Sequence, residues 1–168
     1  MKLNNHKGLA LISLLLASSL SYADMLTGRV VGVADGDTIT VLDSGMHQHK
    51  IRLAGIDAPE KAQAFGQVSK KSLSDMVYGK SVDVEYTEED RYQRKVGKVL
   101  IDNTDVNLEQ VKLGYAWHYK KYQKTQSLRD RELYSRAEST ASANKFGLWI
   151  DSNPVEPWNF RRNRKNSQ

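Results

Sequence analysis

Two short acidic motifs with an arginine between them are the part of this chain whose residue types and spacing suit chemistry. The motifs are Asp35-Gly36-Asp37-Thr38 and Asp57-Ala58-Pro59-Glu60, and Arg52 lies between them. Carboxylates beside Gly and Pro turn signals are typical of oxygen ligands that converge from two loops on one small cation. A guanidinium stays charged and offers a planar fork to phosphate oxygens. The combination suits a phosphate bridged to a metal, which indicates phosphodiester chemistry.

Both motifs also have an ordinary structural interpretation. Asp-Gly-Asp-Thr is good turn chemistry between two strands, and Asp-Ala-Pro-Glu is typical of the start of a helix with Asp57 as its cap. Spacing alone leaves both a shared site and two solvated turns open. His47 and His49 form another candidate metal pair, but their position in a predicted turn favours a solvated loop.

The elements expected around these motifs are short strands with a helix inserted after the third. Predicted strands cover residues 26–34, 38–42, 50–54, 82–86 and 96–101, and predicted helices cover 63–77, 106–113 and a segment from Ser127 to about Gly147. Alternation in the third strand places Ile51 and Leu53 on one face and Arg52 on the other, which leaves Arg52 free for a ligand. This order predicts an α+β, mainly β, fold built on a small closed barrel.

The motifs, taken in order, resemble the staphylococcal nuclease (thermonuclease) family. The resemblance covers about residues 26 to 149. It is carried by Asp35-Gly36-Asp37-Thr38, Ile51-Arg52-Leu53, Gly55-Ile56-Asp57-Ala58-Pro59-Glu60 and Asp90-Arg91-Tyr92-Gln93-Arg94. It implies a five-stranded OB-fold barrel packed against about three helices. It also implies an endonuclease that cuts DNA and RNA at the P–O5′ bond, leaves 3′-phosphates and prefers single-stranded or locally melted substrate.

The resemblance also implies roles for individual residues. Ca²⁺ would be held by the carboxylates of Asp37 and Asp57 and by the backbone carbonyl of Ala58, while Asp35 and Thr38 orient ligands or bound water. Arg52 and Arg94 would grip the phosphate, Glu60 would be the general base, and Tyr119 and Tyr122 would contact nucleotides. The family commonly has glycine where this chain has Gln93, and glutamine resists the positive φ that glycine permits.

Two other function classes fit parts of the same pattern. One is a non-catalytic OB-fold module that binds nucleic acid without cleaving it, because fold alone does not decide function. The complete set of acidic and arginine residues favours the enzyme over this module. The other is an exported phosphatase or phospholipase, which the interleaved aromatic and lysine residues of 115–122 make less attractive, since that pattern suits a nucleic-acid strand.

The two ends of the chain predict export and a basic tail. Lys2 and Lys7, an apolar run and small residues up to Ala23 are typical of a signal peptide over residues 1–23. The alternative is an uncleaved membrane anchor, but the apolar run is short of the ~20 residues that span a bilayer, which favours cleavage after Ala23. Its removal would lower the formal charge from +5 to +3 and leave one domain over 24–150 and a partly disordered basic tail over 151–168. The chain has no cysteine, so an exported domain relies on its own core. We expect a monomer in the periplasm or outside the cell, without stable membrane association.

Overall fold

The computed structural model describes residues 24–167, which form a β-barrel with helices packed around it. The predicted signal peptide lies outside the described residues. The strands are β1 (Asp24–Asp35), β2 (Thr38–Leu42), β3 (Gln48–Leu53), β4 (Ile56–Asp57), β5 (Ser81–Glu89), β6 (Lys95–Ile101), β7 (Thr104–Asp105) and β8 (Trp117–His118). Each of the five strands predicted from alternation is present, with ends shifted by a few residues.

Five of the strands close into a barrel through one parallel pairing. β1 pairs antiparallel with β2 and with β5, β2 pairs with β3, and β5 pairs with β6. The barrel closes where β3 runs parallel to β6, with Arg52 opposite Val96. The predicted five-stranded OB-fold barrel is therefore confirmed.

Four α-helices occur in the described residues: α1 (Gly66–Val77), α2 (Val106–Lys112), α3 (Leu128–Ala143) and α4 (Pro157–Asn166). α3 stops before Gly147, which instead begins a short 3₁₀ helix, Gly147–Ile150. α4 lies in the segment for which the sequence indicated a partly disordered tail. Among residues 24–167, no helix has the length and apolar character needed to cross a membrane.

Alternating aliphatic side chains of the barrel form the core, as expected for strands that bury one face. Leu73 and Val77 of α1 and Tyr134 of α3 are buried against this cluster. The buried barrel side chains include Val30, Ile39, Val41, Ile51, Leu53, Val82, Val84 and Val99. Arg52 points away from the face that Ile51 and Leu53 bury, so the barrel fixes its backbone while its side chain reaches the two acidic motifs.

The second acidic motif begins in a strand and not in a helix. Ile56 and Asp57 form β4, which pairs with Trp117 and His118 of β8. α1 begins only at Gly66. The alternative interpretation of Asp57 as a helix cap is therefore wrong, and the pairing with β8 fixes the backbone of Asp57.

Candidate active site

The first acidic motif forms a tight turn that is tied to both neighbouring segments. The backbone carbonyl of Asp37 accepts a hydrogen bond from Leu53 N (2.8 Å), and Asp37 Oδ2 accepts one from Ala58 N (2.7 Å). A Cβ at Gly36 would lie 1.8 Å from Ser69 Oγ, so only glycine allows the turn to approach α1 this closely. These contacts bring Asp37 beside the second motif.

Arg52 joins the carboxylates of the two motifs. Its Nη2 lies 2.8 Å from Asp57 Oδ1 and 3.2 Å from Asp37 Oδ2, and its Nη1 donates to the carbonyl of Leu53 (2.9 Å). The side chain of Asp57 is 0% exposed and that of Arg52 is 14% exposed. The three groups that spacing only suggested as neighbours therefore lie in direct contact.

Burial is the largest influence on the pKa values of two acidic residues, Asp57 and Asp35. It raises the pKa of Asp57, although hydrogen bonding to Arg161 and the charge of Arg52 oppose the rise. Burial and the neighbouring charge of Asp37 raise the pKa of Asp35 to about 6. Asp35 Oδ1 accepts a hydrogen bond from the backbone of Asp37 (3.1 Å), and Thr38 Oγ1 donates to Asp37 Oδ1 (3.1 Å). Asp35 and Thr38 thus contact Asp37, next to the predicted ligands.

Glu60 is connected to this group through Arg161 of α4, a residue that the sequence analysis assigned only to a basic tail. Arg161 Nη1 donates to Glu60 Oε1 (2.7 Å) and Asp57 Oδ1 (3.2 Å), and its Nη2 donates to Asp57 Oδ2 (2.7 Å). Partial burial disfavours the charge of Arg161, but the hydrogen bonds to Asp57 and Glu60 outweigh it and raise its pKa. Pro157, followed by aromatic residues before the arginine, is the sequence signal that indicates a docked helix here.

Arg94 is not brought into the acidic group. Asp90 holds its side chain, with Arg94 Nε at 2.8 Å and Nη2 at 2.6 Å from Asp90 Oδ2. Within residues 24–167, none of its hydrogen bonds or ion pairs reaches Asp37, Asp57 or Glu60. Gln93 has φ = 60°, so this chain adopts at glutamine the backbone conformation that favours glycine.

The two tyrosines expected to contact substrate lie side by side in a row of aromatic side chains. The Tyr119 ring is 5.0 Å from that of Tyr122 and is stacked on Trp158 of α4 at 5.3 Å. Trp158 also meets Trp117 edge to face at 5.8 Å. Tyr119 N donates to the carbonyl of Gly55 (2.8 Å), two residues before Asp57, so Tyr119 lies near the second acidic motif. Burial raises the pKa of Tyr119, and the charge of Asp57 adds to this rise.

The donor chemistry of the site fits a hard cation. Asp37 and Asp57 supply only oxygen donors and share one nitrogen of Arg52, so their carboxylates lie side by side. Across the described residues, no three His, Cys, Asp or Glu side chains are arranged as a ready metal cluster. A cation here would therefore also need backbone oxygens or water, which Ca²⁺ accepts.

The barrel and the group of carboxylates and guanidinium beside its first turn define an OB-fold protein with a site suited to phosphodiester hydrolysis. The family model described as staphylococcal nuclease homologue matches residues 50–151. A Haemophilus influenzae protein named as an endonuclease is 49% identical over 139 residues, covering 83% of this chain and 75% of that protein.

Two further relatives are similar over most of their length. An Escherichia coli O157:H7 protein named as an endonuclease is 42% identical, covering 82% of this chain and 86% of that protein. A Shigella flexneri protein named micrococcal nuclease is 37% identical, covering 96% and 94%. The chain therefore belongs to the staphylococcal nuclease family and is a nuclease, a hydrolase whose substrate is nucleic acid.

Proposed function

We propose that this protein is an exported, Ca²⁺-dependent endonuclease that hydrolyses both DNA and RNA and leaves 3′-phosphates. The observation that carries the proposal is the contact of Arg52 with both Asp37 and Asp57, which puts a phosphate-binding fork beside two oxygen-donor side chains. Glu60 joins the same group through Arg161. Membership in the nuclease family supports the same reaction class.

The side chains divide the reaction between them. Arg52 binds the phosphate oxygens and offsets the charge that develops in the transition state. Glu60 takes one proton from the attacking water as the oxygen of that water forms a bond to phosphorus. The P–O5′ bond breaks and the departing O5′ takes a proton from solvent water, while Glu60 returns its proton to solvent, leaving a 3′-phosphate and a 5′-hydroxyl. We assign Arg94 to the same phosphate, which requires its guanidinium to leave the carboxylate of Asp90.

The residues that would hold Ca²⁺ are Asp37 and Asp57, through their carboxylates, and Ala58, through its backbone carbonyl. When bound, the ion supplies Lewis-acid neutralisation of the phosphate charge. Asp35 and Thr38 hold Asp37 in its orientation through the hydrogen bonds described above.

Low sequence and sugar selectivity follows from the kind of contacts that the site offers. Phosphate contacts and stacking on Tyr119 and Tyr122 read no base edge, and a base stacks only once it is unpaired. We therefore propose single-stranded or locally melted DNA and RNA as substrates. The mature protein is proposed to act as a monomer in the periplasm or outside the cell, without membrane association. The signal-like residues 1–23 support that address.

The deciding experiment is cleavage of single-stranded DNA and RNA by the mature protein with Ca²⁺, with Mg²⁺ and with EDTA, with chemical identification of the product ends. Cleavage that requires Ca²⁺ and leaves 3′-phosphates is the expected result. Folded protein that binds DNA yet cuts nothing under any condition would identify a binding module instead. Cleavage with Mg²⁺ as efficient as with Ca²⁺ would refute the metal assignment alone.

Arg52→Ala and Glu60→Ala test the residue assignments. We expect each to lower kcat by about 10²–10³-fold, the loss found when one transition-state donor is removed elsewhere. Arg136→Ala and Glu132→Ala are matched controls, because their side chains on α3 are 81% and 73% exposed and, among residues 24–167, form an ion pair only with each other, at 3.9 Å. Near-normal turnover in a folded Arg52 or Glu60 variant would remove that residue from the mechanism.

A further inference from the structure

Arg161, like Arg52, donates a hydrogen bond to the carboxylate of Asp57. Both guanidinium groups donate to Asp57 Oδ1, Arg52 at 2.8 Å and Arg161 at 3.2 Å. Their solvent exposure differs, since the side chain of Arg161 is 43% exposed and that of Arg52 is 14% exposed. An incoming anion therefore meets Arg161 on the open side of the site.

The hydrogen bonds of Arg161 leave one edge of its guanidinium open. Nη1 uses both of its hydrogens, on Asp57 Oδ1 and Glu60 Oε1, and Nη2 uses one, on Asp57 Oδ2. The second hydrogen of Nη2 and the Nε hydrogen have no partner within residues 24–167. These two N–H groups point along the same edge and match two oxygens of one phosphate. Arg161 can thus bind a phosphate while it still holds both carboxylates.

The attachment of α4 makes Arg161 a fixed part of the site. Trp158, one turn earlier, is stacked on Tyr119 at an interplanar angle of 11° and meets Trp117 edge to face. Before the helix, the carbonyl of Val155 accepts a hydrogen bond from Gln63 Nε2. A guanidinium held in this way loses less entropy on binding an anion than one on a mobile tail.

We propose that Arg161 is a substrate-binding residue, whose free edge grips a phosphate of the nucleic-acid strand next to Asp57 and Glu60. The inference rests on the proposed nuclease function. It adds to the barrel arginines a contact from the C-terminal helix, so α4 contributes to the surface on which the strand binds. Arg94 does not make this contact, because Asp90 holds its side chain outside the acidic group.

The test compares Arg161→Ala and Arg161→Lys with Arg164→Ala, an exposed arginine one turn further along α4. The first readout is binding of a fluorescent oligothymidylate in EDTA at several KCl concentrations, measured by anisotropy. We expect Arg161→Ala to weaken binding roughly 10- to 100-fold, as for loss of a charged hydrogen bond. The slope of log K against log salt should fall by about 0.7, one single-strand phosphate contact. Arg164→Ala should bind like the unchanged protein.

Arg161→Lys separates the two-donor edge from the charge. Lysine keeps a positive charge beside the buried Asp57, which avoids the destabilisation that an unpaired buried carboxylate causes, but it lacks the fork. We expect its DNA affinity to fall between those of the unchanged protein and Arg161→Ala, with an unchanged salt slope. The second readout, kcat/KM for DNA cleavage with Ca²⁺, should follow the same order.

Three outcomes would overturn the assignment. DNA binding that is unchanged or tighter in Arg161→Ala would mean that Arg161 occupies the site against substrate. Equal losses in the Arg161 and Arg164 variants would indicate diffuse attraction by the helix. An Arg161→Lys protein that binds DNA as tightly as the unchanged protein would show that the two-donor edge of the guanidinium is not needed. Absence of cleavage by the unchanged protein would instead refute the proposed function, so the two failures are distinguishable.

Discussion

Gln93 is a position where one substitution should stabilise the protein without touching the site. Its φ of 60° lies in the left-handed region, where a residue with a Cβ is strained by about 1–2 kcal/mol. The turn around it depends on backbone groups, since Gln93 N donates to Asp90 O (2.9 Å) and Asp90 N donates to Arg94 O (2.9 Å). The Gln93 side chain is exposed, so its removal exposes no core.

Gln93→Gly should raise the free energy of unfolding by about 0.5–1 kcal/mol. Relief of the left-handed strain gives the gain, and the extra freedom of glycine in the unfolded chain removes roughly 0.5–1 kcal/mol of it. For a domain of this size the Tm should rise by about 1–4 °C. Urea unfolding followed by circular dichroism measures the free energy, and calorimetry measures the Tm.

Gln93→Ala is the matched control, because alanine also removes the side chain but keeps the Cβ at positive φ. It should give no gain. Cleavage of DNA by Gln93→Gly should match that of the unchanged protein, since within residues 24–167 the Gln93 side chain makes no hydrogen bond to Asp90 or Arg94. A Gln93→Gly protein no more stable than Gln93→Ala would refute the strain account of this turn.

Two further predictions concern a buried amide and a surface turn. Asn107 is fully buried and its Nδ2 donates to the carbonyls of Ala54 (3.0 Å) and Gly97 (3.1 Å), so Asn107→Ala should cost about 3 kcal/mol in urea unfolding; a loss below ~1 kcal/mol would contradict this. The hydrogen bond from the His49 side chain, together with one from the backbone of His47, lowers the pKa of Asp43 to about 2. An NMR titration should show Asp43 protonating near pH 2, and at a higher pH in His49→Ala, where the hydrogen bond from the backbone of His47 still lowers its pKa. Because the pKa of Asp43 is lowered in the folded protein, this pair stabilises the turn above pH 3.8, and the contribution is lost as pH falls through about 2. An unchanged Asp43 pKa in His49→Ala would exclude His49 as a cause of the lowered pKa.

The barrel was predictable because its strands bury one face, so alternation along the sequence reports both strand and side. The contact of Arg52 with Asp37 and Asp57 needed more than alternation, since it depends on the pairing of β2 with β3, which sets Arg52 opposite Thr38, and on close approach at Gly36. The expectation that Arg52, Asp37 and Asp57 share one site came from the family resemblance and not from a physical argument on the sequence. Local spacing alone left open whether the two motifs share one site or form two solvated turns.

The C-terminal helix was missed for a different reason. Its composition is basic and polar, so periodicity gave no buried stripe, and the helix is held mainly by contacts with distant residues. Trp158 reaches Tyr119, and Arg161 reaches Asp57, 104 positions earlier in the chain. For Arg94 the sequence had the opposite failing, because it predicted a place in the site that the side chain does not occupy. Its motif order matches the family, but Asp90, four residues away, holds the side chain.

The parallel pairing that closes the barrel also bears on how the protein folds. Ile51 pairs with Lys95, 44 residues later, whereas the hairpins join strands that are neighbours in sequence. Bringing distant segments together costs entropy before their bonds form, so closure is expected late in folding. Arg52 belongs to the closing strand. A chain with its hairpins formed and its barrel open would already hold Arg52 opposite Thr38 of the acidic turn, because these two residues are partners in the β2–β3 hairpin. Asp57 would still lack its pairing with Trp117, 60 residues later in the chain, so the site is expected to assemble in two stages, with the second acidic motif joining last.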